Sequence, residues 1–268
     1  MNINESDWPV TVSSLTSELG DCGIVKGMNI IVHASFKSLE CWVVGGVAAV
    51  IQALEEVIGD EGTLVMPTHS SELSDPASWM NPPVPESWWN TIREEMPAYD
   101  KSLTPTNAMG VIAENFRKQE GALRSDHPQL SFAARGPEAA FITDNHSLAD
   151  GLGECSPLAR MYDRNGWVLL IGVDYDKNTS LHLSEHRAAY AGKQRVKYGA
   201  PCMVDEYREW IEFEDINYST EDFIQIGQSF EQSTELVQIS KIGNAVVRLM
   251  PQRQLVDYGV RWIESNRI

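Results

Sequence analysis

The chain has 268 residues, 43% hydrophobic and 22% charged, with 38 acidic against 21 basic side chains and a net charge of −17. This is an ordinary globular composition with enough material for a large core, but a surface so acidic repels phosphate backbones, which argues against nucleic-acid binding, and concentrates cationic ligands. The apolar run 167–173 is too short to span a bilayer and residues 1–10 are polar and acidic rather than a targeting segment, so no membrane association and a cytoplasmic location are expected.

Residues 28–33 read as a short apolar, β-branched strand. The connection after it carries Ser35, Lys37 and Ser38 and ends on Val43, Val44, Gly45 and Gly46. A helix over 45–58 follows, with Val47, Val50, Ile51, Leu54 and Ile58 at helical spacing. Paired glycines at a helix start can cradle an anion, because unpaired N–H groups and the helix dipole favour negative charge there. They also serve plain turn chemistry. Lys37, in an otherwise acidic chain, favours a phosphate, although there is no P-loop and no G-x-G-x-x-G fingerprint. Gly59-Asp60-Glu61-Gly62 stops the helix and a second strand occupies 63–66, giving a βαβ unit with a parallel pair.

From 69 to 106 this alternation breaks down. Six prolines (Pro76, Pro82, Pro83, Pro85, Pro97, Pro105) accompany Trp79, Trp88 and Trp89, more aromatic surface than a linker carries, so the segment is expected to be a lid or an acceptor wall. A helix over 109–117 and a strand over 131–135 come next. Between them Arg124-Ser125-Asp126-His127-Pro128 reads as a shaped loop, either a turn fixed by an Arg–Asp pair or a catalytic arrangement. Residues 167–173 are almost uniformly apolar, as a central strand covered on both faces should be. A helix capped by Asn178, Thr179 or Ser180 should then run to about residue 191. Residues 196–213 read as a hairpin with 201–204 and 210–213 flanking an acidic turn, and the span 205–222 holds eight carboxylates against Arg208. Helices are expected over 221–231 and 252–264. The economical architecture is one α/β domain over 1–268, three-layered, with a central, largely parallel or mixed sheet and a β-rich, then helical, C-terminal portion. Cys22, Cys41, Cys155 and Cys202 are dispersed without a C-x-x-C pair, so isolated thiols are expected rather than a thiolate metal site or a redox dithiol.

Asn178-Thr179-Ser180-Leu181-His182-Leu183-Ser184-Glu185-His186 admits two incompatible chemistries. In one, His182 is a general base at a strand-to-helix junction and Thr179 holds a developing oxyanion. In the other, His182-x-x-Glu185-His186 is the H-x-x-E-H pattern of an inverted zinc peptidase, with Glu264 as the available third ligand. A pocket that binds a cationic amine without turnover is a third class.

The set of motifs is more specific than any one of them. His33-Ala-Ser35, Trp42-Val-Val-Gly-Gly46, Glu61-Gly-Thr-Leu-Val-Met-Pro-Thr68, Thr104-Pro-Thr106, Met109-Gly110, Leu123-Arg-Ser-Asp-His-Pro128, Gly153-Glu154-Cys-Ser156-Pro-Leu158 and Asn178-Thr-Ser-Leu-His182 occur in this order. Over roughly residues 8–265 the chain closely resembles the antibiotic N-acetyltransferase family, the aminoglycoside 3-N-acetyltransferases and their relatives. The resemblance implies an α/β fold distinct from the commoner small acetyltransferase fold, acetyl-coenzyme A as co-substrate, no metal, and a cationic amine as acceptor. The best candidate acceptor is the 3-amine of a 2-deoxystreptamine aminoglycoside, with a non-antibiotic amine as the alternative. It implies His182 as general base and Thr179 as oxyanion donor. Ser35, Lys37, Val43, Val44, Gly45 and Gly46 then hold coenzyme A, and Asp75, Glu212, Glu214 and Asp215 face the acceptor. Glu214 is expected also to orient His182, with Glu185 as the other possible partner. A histidine in the first turn of a helix is biased toward its neutral, basic form by the dipole, which suits the role.

Overall fold

The computed structural model describes residues 9–267; the polar stretch 1–8 and Ile268 lie outside the described residues. After helix α1 (Val12–Asp21), strand β1 (Asn29–Ala34), helix α2 (Gly46–Ile58) and strand β2 (Thr63–Pro67) form the expected βαβ unit. β1 pairs in parallel with β2, Ile31 opposite Val65, and also with β5 (Trp167–Ile171), Ile31 opposite Val168. On one side the sheet continues with antiparallel β4 (Phe132–Arg135) and β3 (Leu123–Arg124). On the other it continues with antiparallel β9 (Ala245–Pro251) and β8 (Gln238–Ile242), giving the order β3-β4-β2-β1-β5-β9-β8. The sheet is therefore mixed, parallel only in its middle three strands.

Alternation along these strands feeds two cores. Ile30, Val32, Leu169 and Ile171 pack on one face with α1, α2 and α4 (Gly110–Phe116). Ile31, Val65, Val168 and Leu170 pack on the other with residues of α5 (Ala139–Thr143), α6 (Pro157–Asp163), α7 (Ser180–Arg187), α8 (Phe223–Ser233) and α9 (Gln252–Asn266). Each fully buried Ile, Val or Leu contributes roughly 1.5–3 kcal/mol relative to exposure, so both faces must be covered, which makes the layers three. β5 is the central two-faced strand that its composition predicts.

The segment 69–106 carries helix α3 (Trp89–Glu95) and is firmly tied down. Arg124, 6% exposed, is not paired with Asp126: its guanidinium donates to the carbonyls of Thr68, Lys101 and Thr104 and to the hydroxyls of Thr68, Ser70 and Ser131. Asp126 pairs instead with Lys101. His127 Nδ1 accepts from the N–H groups of Gln129 and Leu130, while its buried Nε2 has no partner among the described residues.

Two expectations are corrected. The hairpin β6 (Arg195–Val204) and β7 (Tyr207–Ile216) is longer than expected, and its turn is only Asp205-Glu206, both with positive φ; Glu209, Glu212 and Glu214 lie on the strand. α7 stops at Arg187 rather than near 191 because the Lys193 ammonium caps the carbonyls of His186 and Ala188, and Ala188 turns to extended backbone. All four cysteines are free. No helix among the described residues is long and apolar enough to cross a membrane.

Candidate active site

The C-terminal ends of β2, β1 and β5 open on a cavity of about 660 Å³ whose walls include His33, Ser35, Lys37, Met109, Asp174 and Thr179. This is the end of a parallel sheet where ligands bind, because helix N-termini and loops converge there. The loops after β1 and β5 are locked together: Ser35 N–H donates to the Ile171 carbonyl at 2.9 Å and Ser38 Oγ to the Gly172 carbonyl at 2.8 Å. Gly172 has φ +61°, and a Cβ there would lie 2.4 Å from Ser38 Cβ, so only glycine permits this approach.

Ser35 and Lys37 thus line the cavity, Lys37 with its side chain exposed. Val43, Val44, Gly45 and Gly46 do not line it. They form the uncapped start of α2, with Gly45 and Gly46 at positive φ and open space where a Gly46 side chain would be. Val44 N–H already donates to the Val10 carbonyl and Gly46 N–H to the Val43 carbonyl, so what this end offers an anion is the helix dipole and the remaining first-turn N–H groups.

Asn178 caps α7 through Oδ1, which accepts from Ser180 N–H at 3.1 Å. Thr179, the first flanking residue, makes no capping bond, and its hydroxyl lies 3.4 Å from His33 Nε2 on the cavity wall. His182 is in the first turn of α7 and 8% exposed. Its Nδ1 is hydrogen-bonded to the fully buried Glu185 carboxylate. A carboxylate only accepts, so in the neutral ring Nδ1 carries the proton and Nε2, without a partner among the described residues, is the lone pair. Tyr218 packs edge-on against the ring at 5.0 Å and Phe223 at 4.8 Å.

Glu185 is itself held by Ser219 N–H at 3.1 Å and by Arg267 at 2.6 Å. Burial pushes the Arg267 guanidinium down, but its bonds to Asp222 and Glu185 outweigh that and hold it above its ordinary value. The carboxylate that orients His182 is therefore Glu185, not Glu214, which is exposed on β7.

The remaining acidic candidates separate. Asp215 is 1% exposed and accepts from Gly151 N–H, Tyr218 Oη and Ile216 N–H, so it is an internal anchor and not an acceptor-facing charge. Asp75 forms a two-point pair with Arg93 in the wall segment. Asp75, and after it Glu212, raise the affinity of Arg93 for its proton, which puts Asp75, Arg93 and Glu212 in one neighbourhood between wall and hairpin. Arg208 and Gln129 fasten the two together: Arg208 Nε donates to the Met96 carbonyl, and Gln129 Nε2 to the carbonyls of Leu73 and Gly199.

The geometry does not assemble the H-x-x-E-H ligand set. His182 turns to Glu185; His186 turns to Tyr218 Oη at 2.9 Å and Asp215 at 3.4 Å; Glu264 accepts from Ala189 N–H. Among the described residues, Asp150, His186 and Asp215 bring one ligand atom each within 4.8 Å of one another, and Tyr218 Oη bonds both His186 and Asp215 there.

Two further histidines, not singled out as catalytic from the sequence, flank the site. His33 is held down to about 3 by burial and then by repulsion from His182; His69 is held down to about 3 by burial first, with His182 the largest of several charges acting on it. Both are neutral at physiological pH. His33 was legible only as the end of the first expected strand, and His69, two residues past the end of β2, only as the start of the Pro- and Trp-rich segment.

The family model described as aminoglycoside 3-N-acetyltransferase matches residues 31–264. The SPbeta prophage-derived aminoglycoside N(3')-acetyltransferase-like protein YokD of Bacillus subtilis is 43% identical over 98% of this chain and 96% of its own. Its crystal structure superposes with a TM-score of 0.94, at 44% identity over 98% of this chain and 96% of that one. Aminoglycoside N(3)-acetyltransferase VII of Streptomyces paromomycinus is 34% identical over 98% of this chain and 95% of its own. The structure of AAC-IIIb in binary complex with CoASH superposes with a TM-score of 0.86, at 28% identity over 97% of this chain and 98% of that one.

Proposed function

We propose, because the chain belongs to the aminoglycoside 3-N-acetyltransferase family and is on that ground an acetyl-CoA-dependent aminoglycoside N(3)-acetyltransferase, that it transfers acetyl directly, with His182 as general base. The observation that carries this reading is the buried Glu185–His182 pair, which leaves Nε2 as a lone pair. Nε2 takes the proton from the acceptor amine as nitrogen attacks the thioester carbonyl, and Glu185 stabilises the imidazolium. Charge develops on the carbonyl oxygen, where the Thr179 hydroxyl donates. The tetrahedral intermediate collapses, the carbon–sulfur bond breaks, and the imidazolium returns the proton to the departing thiolate. No acyl-enzyme is required, because the thioester is already activated.

Coenzyme A fits the cavity through Ser35 and Lys37, with its phosphates toward the uncapped start of α2 at Val43, Val44, Gly45 and Gly46. Glu212 and Glu214, exposed on β7, supply the field that draws in a polycation, while Asp75, neutralised by Arg93, offers carboxylate oxygens rather than net charge; the 3-amine of a 2-deoxystreptamine aminoglycoside is the reacting group. The test is thiol release from acetyl-CoA with a panel of aminoglycosides, with and without chelator. Chelator-insensitive release with intersecting initial-velocity lines is expected, together with loss of turnover but retained coenzyme A binding in His182→Ala. Parallel lines would point to an acyl-enzyme, and an unimpaired His182→Ala would remove the base.

A further inference from the structure

We propose that His33 is a positioning residue that donates its Nε2–H to Thr179 Oγ1, so that the threonine hydroxyl proton is free to point into the reaction chamber. The proposal rests on the acetyl-transfer reading above for its purpose, but not for its geometry. Thr179 sits where a helix cap normally spends its hydroxyl on the backbone, and that duty has passed to Asn178. What remains beside the Thr179 hydroxyl is His33 Nε2 at 3.4 Å, and both residues line the same cavity.

A neutral imidazole has one N–H and one lone pair, so the two tautomers have opposite consequences. If Nε2 is the lone pair, it takes the Thr179 proton and leaves the developing oxyanion facing an oxygen. If Nε2 carries the proton, Oγ1 becomes an acceptor toward His33 and a donor toward the chamber, and the chained bonds polarise the hydroxyl further. β1 holds the His33 backbone opposite Leu170 in the parallel β1–β5 register, and burial to 6% exposure leaves the side chain little room to swing away. Burial keeps it uncharged, so it adds no positive charge beside the base or against a cationic acceptor.

The test has two arms. In the free protein, ¹⁵N-resolved imidazole spectra, assigned by loss of the His33 signal in His33→Gln, are expected to show the Nε2–H tautomer. An Nδ1–H tautomer overturns the proposal whether or not the protein turns over. In the kinetic arm, His33→Leu is expected to lower kcat by roughly 10- to 100-fold with little change in KM for acetyl-CoA. His33→Gln, whose amide N–H reaches the same place, should recover most of it. Combining His33→Leu with Thr179→Val should cost little more than Thr179→Val alone. Multiplying effects, or a His33→Gln as impaired as His33→Leu, overturn it. A wild-type protein that shows the Nε2–H tautomer but acetylates no amine would sink the acetyl-transfer reading and leave the His33–Thr179 bond in place.

Discussion

Glu185→Gln removes one negative charge from a fully buried site at nearly constant volume. Three donors lose their anionic acceptor: His182 Nδ1, Arg267 at 2.6 Å and Ser219 N–H at 3.1 Å. Arg267 keeps Asp222, with two contacts of 2.6 Å, so it is not stranded. The stability cost should then fall below the 3–5 kcal/mol typical of breaking a buried ion pair, at about 2 kcal/mol. For a chain of this size that lowers Tm by about 4–8 °C. Catalysis suffers more. The carboxylate both fixes the tautomer that leaves Nε2 basic and stabilises the imidazolium, whereas an amide can donate to Nδ1 and hold the wrong tautomer. Removing the equivalent charge from a Ser-His-Asp triad costs about 10⁴ in kcat. Since a thioester is a more reactive acyl donor than an amide, a loss of about 10²–10⁴ at pH 7 is expected here, with KM for acetyl-CoA unchanged. Thiol-release kinetics measure it, and coenzyme A binding with a thermal melt shows that the variant is folded. A folded variant with kcat within about threefold of wild type would refute the dyad.

Other consequences are as direct. Lys37→Gln should raise KM for acetyl-CoA and leave KM for the acceptor unchanged, and added salt should weaken the wild type in the same sense; equal changes in both constants would count against a donor-side role. Arg124→Gln removes the donor to the Lys101 and Thr104 carbonyls, the latter worth about 1–3 kcal/mol if left unpaired, while Thr68 keeps Ser131 Oγ, so residues 69–106 should become sensitive to protease; an unchanged digestion pattern contradicts the anchoring role. His33, His69, His127 and His146 are each held down to about 3 by burial, whereas they titrate near 6.5 in the unfolded chain. Protons therefore favour the unfolded state below about pH 6.5, and stability is full above that pH and falls as it drops toward 3. The loss is about 1 kcal/mol per histidine between pH 6.5 and 5.5. Urea melts at the two pH values check it; flat stability would mean that these rings titrate normally in the fold.

The parts of the fold legible in the sequence were those with strong periodicity. β1, α2, β2 and β5 were expected within a few residues because their buried faces are continuous runs of Ile, Val and Leu. The five-residue α5 and two-residue β3 are too short to show a period, and β8, with only Ile242 fully buried, presents no clear alternation. The hairpin turn was misjudged because two-residue turns are signalled by Asn-Gly or Asp-Gly, and here a glutamate occupies the second positive-φ position. At the site, motif singled out His182 and Thr179; Glu185 was named only as the second choice of partner for His182, behind Glu214, and His33 was not foreseen as the neighbour of Thr179. Whether residues three apart at a helix start converge depends on rotamers and on third parties. Here the third party is Arg267, 82 positions from Glu185, which no local pattern announces.

The two cores that sandwich the sheet also divide the labour of the site. The loop bearing Ser35 and Lys37, together with α2 and α4, rests on the core shared with α1, whereas His182, Glu185 and their supports Tyr218, Phe223 and Arg267 belong to elements on the opposite core. The two halves meet at the strand ends where His33 touches Thr179. Substitutions that retune one half have the sheet between them and the other. On the proposed roles of the two halves, a lineage can therefore drift in which amine it accepts, through the hairpin and the wall segment, while its grip on the acyl donor is inherited unchanged.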